Sequence, residues 1–188
     1  MNQPPFPRPV LGFCAYGSGS GKTTLLTSLI PVLMKRGLRI SVIKHAHHKF
    51  DVDKPGKDSF RLREAGAIQT LVASDLRWAL MTERQRMPQE QANSVSLDEL
   101  LPHLDPDAID IVLVEGFKQA NISKIEIHRP SLNYPLLAPT DHNIIAVATD
   151  AALPQLTIPA LDLNDAESIA DFIVEWMKAT SHYDKTFA

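Results

Sequence analysis

Eight consecutive residues, Gly17-Ser18-Gly19-Ser20-Gly21-Lys22-Thr23-Thr24, constrain this chain more than any others. Before them stands a short apolar run, residues 10–16. After them, residues 22–36 carry apolar side chains at 25, 26, 29, 30, 33 and 34. The run reads as a buried strand, and the i, i+3/i+4 spacing reads as an amphipathic helix that Gly37 ends. Pro31 is expected to kink that helix or to sit where the local bond is already broken. Strand, glycine-rich turn, Gly-Lys-Thr and helix, in that order, is the arrangement of a phosphate-binding loop. Its glycines permit φ > 0 and turn successive N–H groups inward, while the helix start adds unpaired N–H groups and a positive dipole end. Lys22 supplies a point charge for β- and γ-phosphates, and Thr23 supplies a hydroxyl for Mg²⁺. Thr24 can bond on the α-phosphate side. The full spacing puts a glycine five residues before Gly21, where this chain has Tyr16. Either Tyr16 adopts the first-position conformation, or the loop is one residue longer and starts near Gly17.

The rest of the chain alternates strands and helices, which predicts an α/β fold with three layers of the P-loop NTPase kind and a mainly parallel sheet. Strands are expected at 38–44, 109–114, 122–128 and 143–149, the third with one face exposed because Lys124, Glu126 and His128 alternate with Ile125 and Ile127. Residues 70–74 and 78–82 read as an additional β-hairpin region. Residues 83–95 read as a mobile loop or hairpin tip, within an insertion around 74–95. Helices are expected at 59–65, with Asp58 as N-cap and Gly66 as stop, at 97–104 with a Ser96/Glu99 capping box, and at 165–179. Residues 10–180 then form one nucleotide-binding domain, between a disordered leader (1–9) and a C-terminal tail (181–188).

A phosphate loop needs a second carboxylate for its metal at the end of a buried strand. Glu115, after the apolar residues 111–114, fits, and Gly116 would let the backbone approach the γ-phosphate. Asp110 reads as a surface cap. The loop 51–58, following the second strand near Lys44, stands where a switch segment meets γ-phosphate and Mg²⁺. Asp53 is its first candidate and Asp58 its second. Lys22, Asp53 and Glu115 are therefore the catalytic candidates, and Thr23, Asp53, Asp58 and Glu115 the metal candidates. No Asn-Lys-x-Asp element for guanine is present, but Thr149-Asp150 ends a buried strand, and Asp150 can accept from the N1 and N2 amines of guanine. His45, His47 and His48 suggest a nickel or zinc site, yet the one cysteine, Cys14, lies in the strand entering the loop and reads as packing.

Composition narrows the classes further. Residues 1–63 hold 11 Lys/Arg against 3 Asp/Glu, whereas the remainder holds 8 against 19. A basic first third suits a polyanionic ligand, although Lys35, Arg36 and Arg39 also read as solvation of a helix end. The uneven charge and the 6% aromatic content argue against a nucleic-acid binder. No apolar run nears the ~20 residues of a membrane span. Residues 1–9 contain four prolines and no apolar core for a signal peptide. A cytoplasmic location is expected.

With these segments in view, the chain resembles the MobB family of molybdopterin-guanine dinucleotide biosynthesis adapter proteins. The resemblance is carried by Gly19 to Leu26, Ile43-Lys44-His45, the Asp51-Val52-Asp53-Lys54-Pro55-Gly56-Lys57-Asp58-Ser59 element, Arg77 to Glu83, Leu113 to Lys118 and Ala146 to Asp150. Leu161 to Asp165 and Phe172 to Met177 extend it. The Asp-x-Asp-Lys-Pro-Gly-Lys-Asp-Ser element is the specific part. The resemblance implies a SIMIBI-class P-loop GTPase that is homodimeric and hydrolyses GTP weakly. It also implies an accessory role beside the guanylyltransferase MobA and the molybdenum-insertion proteins, and it places Lys44, Asp53 and Glu115-Gly116 around Mg²⁺ and the phosphates. A dethiobiotin-synthetase-like kinase or ligase, using Lys44, Lys57 and Lys118, and a metallochaperone GTPase are the alternatives.

Overall fold

The computed structural model describes residues 6–46, 50–87 and 95–180. It comprises two units, Met1–His45 with Ser96–Ala188, and Ala46–Val95. The first unit is built on a six-stranded sheet of β1 (Val10–Cys14), β2 (Ile40–Lys44), β5 (Ile111–Glu115), β6 (Lys124–His128), β7 (Ile144–Thr149) and β8 (Ala160–Asp162). Its order is β2-β5-β1-β6-β7-β8, and every pairing is parallel. The phosphate-loop strand β1 therefore lies inside the sheet, between β5 and β6.

Two long helices, α1 (Lys22–Lys35) and α4 (Ala166–Thr180), pack with the sheet into the main core, which includes Leu11, Phe13, Leu29, Leu33, Leu113, Ile125, Ile169 and Ile173. A second cluster joins Ile43, Val112 and Val114 to Leu97 and Leu101 of the segment containing α3 (Leu97–Leu100) and a following 3₁₀ turn. A third joins Cys14, Ile144 and Val147 to loop residues such as Leu136 and Leu153. Sheet faces buried under several layers explain the near-continuous apolar runs of β5 and β7.

Local signals are met in most places. Gly37, at φ 80°, donates to the Met34 carbonyl and closes α1. The helix runs through Pro31 because the carbonyl that Pro31 leaves without a donor, that of Thr27, lies on the exposed face. The Ser96 hydroxyl accepts from the Glu99 N–H and bonds its carboxylate.

Several expectations need correction. β6 has no exposed face: Lys124, Glu126 and His128 are as buried as Ile125 and Ile127. Lys124 donates to the Lys118 and Ala120 carbonyls and pairs with Asp141 at 2.7 Å, and Glu126 accepts from the Leu137 and Ala138 N–H groups. Polar alternation here marks charges that are paired inside. Asp110 is likewise fully buried, bonded to the Arg39 side chain and backbone N–H. The leader is shorter than expected, since the Arg8 guanidinium donates to the Pro106 carbonyl and Pro9 accepts from Val112. Strand β8 was not anticipated. The tail 181–188 lies outside the described residues.

In the second unit, β3 (Gln69–Ser74) and β4 (Arg77–Thr82) form the antiparallel hairpin. Its tip is Asp75-Leu76 rather than 83–95; Arg84–Arg86 form a 3₁₀ turn, and 88–94 lie outside the described residues. Helix α2 (Asp58–Glu64) begins one residue early, so Asp58 is its first residue and Lys57 its N-cap.

The expected excess of positive charge facing a ligand is largely used internally. Arg36 pairs with Glu167 and Asp171 of α4, Arg39 with Asp110, Lys44 with Glu115 and Arg8 with Asp107. The basic first third and the acidic remainder are thus partners in one fold. No helix among the described residues is long and apolar enough to cross a membrane.

Candidate functional site

The loop between β1 and α1 folds back on the Gly17 carbonyl, which accepts from the Ser20 hydroxyl at 2.9 Å and from the Lys22 ammonium at 3.2 Å. Gly19 and Gly21 adopt φ of 74° and 97°, values that L side chains rarely take. The Gly21 carbonyl then receives the first helical bond, from Leu25. Tyr16 stands at the position where the usual spacing has glycine, and its φ lies outside the left-handed region. Its ring packs on Tyr134 with centroids 5.5 Å apart. Gly17 is needed for a different reason, because a Cβ there would lie 2.8 Å from the Tyr134 ring.

Thr23, in the first turn of α1, donates its hydroxyl proton to Glu115 Oε1 at 2.7 Å. Lys44 donates to both Glu115 oxygens, at 2.8 and 2.9 Å, and to the Thr23 hydroxyl at 3.1 Å. Strand register creates this triangle. Lys44 faces Glu115 across β2–β5, and Phe13 faces Glu115 across β1–β5, so three strands end together beside the loop. Gly116, at φ 92°, leaves β5 with its N–H on the Phe13 carbonyl, and a Cβ there would meet the His45 Cβ at 2.9 Å. His45 donates its N–H to the Glu115 carbonyl and stacks on Phe117 at 4.6 Å.

Hard oxygens from a hydroxyl and a nearly buried carboxylate, set within hydrogen-bond reach of each other, fit a small divalent cation. The ammonium held between them shows that the electrostatics there favour positive charge.

Asp53 and Asp58 belong to the second unit. The Asp53 carboxylate is largely buried, with Oδ1 accepting from the Ser59 hydroxyl and the Lys54 N–H. Its Oδ2 has no hydrogen bond and stands 3.8 Å from Arg63 Nε. Arg63 also holds Asp51 and Glu83. Asp58 is exposed, 3.9 Å from Arg61.

Thr149 and Asp150 end β7. The Thr149 hydroxyl bonds the Ala151 backbone, and Asp150 pairs with Arg129 at 2.5 Å. Arg129, which the sequence reading missed, also donates from Nε to the Ser20 carbonyl at 3.3 Å. No local signal marked it, because an arginine after a strand gains this place only once β6 lies beside β1. A cavity of about 190 Å³ opens beside it, lined by Gly21, Thr24, Leu25, Ser28, Leu163 and Asn164.

The histidine metal reading finds no support. His47 and His48 lie outside the described residues, and no cluster of three His, Cys, Asp or Glu able to hold a metal occurs among the described ones. Burial, reinforced by the charge of Glu126, pushes the Cys14 thiol up to about 12, so in the metal-free chain it is protonated at neutral pH.

Comparison with known proteins agrees with this arrangement. A family model described as "MobB: Molybdopterin guanine dinucleotide synthesis protein B" matches residues 10–150. The molybdopterin-guanine dinucleotide biosynthesis adapter protein of Escherichia coli (strain K12) is 51% identical over 171 residues, covering 90% of this chain and 94% of that one. The adapter protein of the same name from Haemophilus influenzae is 49% identical over 169 residues, covering 90% and 89%. A crystal structure of molybdopterin-guanine biosynthesis protein B superimposes with a TM-score of 0.67 at 27% identity, covering 90% of this chain and 99% of that one. With a family model that matches residues 10–150 and relatives about half identical over nearly the whole of both chains, the chain belongs to the MobB family.

Proposed function

We propose that this chain is a GTP-binding adapter in the biosynthesis of molybdopterin guanine dinucleotide, hydrolysing GTP slowly. The Thr23–Glu115–Lys44 triangle beside the glycine loop carries the nucleotide reading. Residues 17–24 would hold the phosphates, with Lys22 and Lys44 as their charge partners. Thr23 and Glu115 would hold Mg²⁺, which neutralises phosphate charge. Among the described residues no side chain stands out as a general base for water, which accords with an adapter whose bound nucleotide sets the shape offered to partners. Those partners would be a guanylyltransferase of the MobA kind and molybdenum-insertion proteins, met in the cytoplasm. The chain's relatives are named as adapters of this pathway, which supports the assignment.

The hairpin supports a homodimer. Leu71, Trp78 and Leu80 share one face and are all exposed, an apolar patch that a second copy of the chain would cover.

Titration of the purified chain with GTP and ATP, with and without Mg²⁺, tests the reading. Expected are Mg²⁺-dependent binding with preference for GTP, loss on Lys22→Ala, and single-turnover hydrolysis far slower than that of a dedicated NTPase. Fast hydrolysis, or preference for ATP, would overturn it. Nucleotide-dependent stimulation of guanine dinucleotide formation, in a reconstitution with the guanylyltransferase and molybdopterin, tests the adapter role.

A further inference from the structure

Arg129 and Asp150 are brought together by the parallel register of β6 and β7. His128 faces Thr149 across those strands, so the next residue on each chain emerges at the same edge. β6 is also hydrogen-bonded to β1, which leads into the glycine loop, so the pair emerges on the loop's own side of the sheet. There the Arg129 guanidinium divides its donors. Nη1 goes to Asp150 Oδ2 at 2.5 Å, and Nε to the Ser20 carbonyl at 3.3 Å. Its Nε and Nη2 lie 3.5 Å from where a Gly21 Cβ would stand. Both side chains are only partly covered, at 31% and 25% exposure, and the bond between them is a charge-assisted one at the surface.

A peptide group is planar, and its C=O and N–H point in opposite directions. Holding the Ser20 carbonyl on the Arg129 side therefore turns the Gly21 N–H to the other side. Gly21 is already in the left-handed region, where other plane orientations are open to it, so an external anchor on this peptide matters. Resting on the nucleotide reading above, we propose that Arg129 is a positioning residue that aims the Gly21 N–H at phosphate. Asp150 is the counter-ion that steers Arg129, rather than a reader of the base.

Calorimetric titration of wild type, Arg129→Gln, Arg129→Lys and Asp150→Asn with Mg²⁺ and GTP, xanthosine triphosphate or inorganic tripolyphosphate tests this. Arg129→Gln is expected to weaken GTP and tripolyphosphate by the same factor, about tenfold, the size of one charged hydrogen bond. Arg129→Lys, which keeps a cationic donor, recovers part of the loss. Asp150→Asn gives a smaller loss that is equal for GTP and xanthosine triphosphate. The Gly21 amide resonance should shift strongly downfield when tripolyphosphate binds wild type and less so in Arg129→Gln, a signature that a general loss of stability does not produce.

A loss confined to GTP would make Arg129 a nucleoside contact and overturn the proposal. So would a switch of Asp150→Asn towards xanthosine triphosphate, since xanthine carries a carbonyl where guanine has its 2-amino group. Unchanged affinity in both Arg129 variants would overturn it as well. If wild type binds none of the three ligands, the nucleotide reading itself falls, and that result is visible before any variant is compared.

Discussion

The Thr23 hydroxyl and the Glu115 carboxylate meet at 2.7 Å although 92 residues separate them in sequence. One sits in the first turn of a helix and the other at the last position of a central strand. Their distance is set by the β1–β5 register, and the Lys44 contact by β2–β5. Such geometry is rigid because shifting any one strand by a residue turns its side chain to the opposite face of the sheet.

Glu115→Gln should therefore lower GTP affinity in the presence of Mg²⁺ by at least about tenfold, the scale of one charged interaction. Affinity without Mg²⁺ should change little. Paired titrations with and without the metal check this, and equal losses under both conditions would refute the metal role.

Lys44 is half exposed while the Glu115 carboxylate is mostly covered. Lys44→Met should cost about 1 kcal/mol, a screened pair's worth plus some desolvated charge left behind. Adding Glu115→Gln should restore part of that loss. Urea denaturation of the two single variants and the double variant measures the coupling.

Lys124 is the most deeply buried cation, and its ammonium serves two carbonyls as well as Asp141. Burial alone would raise the Asp141 carboxyl, but the Lys124 ammonium and the Asn143 N–H hold it below its ordinary value. Lys124→Met should cost about 3 kcal/mol or more, because it leaves these partners without their donor. A urea midpoint within error of wild type would contradict this.

Cys14 provides a pH test. Its thiol is pushed from an ordinary 9.0 to about 12, chiefly by burial. The folded form therefore keeps a proton that the unfolded chain releases. This contribution to stability is whole below pH 9.0 and is lost as pH rises towards about 12. Wild type should lose stability relative to Cys14→Ala across that window. The native thiol should also react with a disulfide reagent at pH 8 far more slowly than the unfolded one.

Trp78→Ser together with Leu80→Ser should turn a dimer into a monomer at micromolar concentration without altering the six-stranded sheet. Sedimentation velocity reads the first change and circular dichroism the second. A wild-type monomer would end the dimer proposal.

Much of the fold was legible because short-range signals suffice for it. The strand–loop–helix around Gly17–Thr24, the Ser96 cap and the apolar β5 are each stated within one short contiguous stretch. The failures share a cause. Lys124, Glu126 and Asp110 look like surface residues because their partners, Asp141, the Leu137–Ala138 backbone and Arg39, are distant in sequence or are backbone groups with no signature. At the site, Lys22, Thr23 and Glu115 follow from loop and strand-end logic, and Lys44 from the family resemblance. Arg129 does not, since its importance depends on β6 lying beside β1, a matter of strand order. Tyr16 departs from the loop's glycine spacing, and the ring it packs on, Tyr134, comes from far along the chain.

The excursion of residues 46–95 leaves the sheet one residue after Lys44–His45. His45 is fastened there by its N–H to the Glu115 carbonyl and by its ring to Phe117. His45 thus fixes the point at which the chain leaves β2, one residue beyond the lysine that holds Glu115.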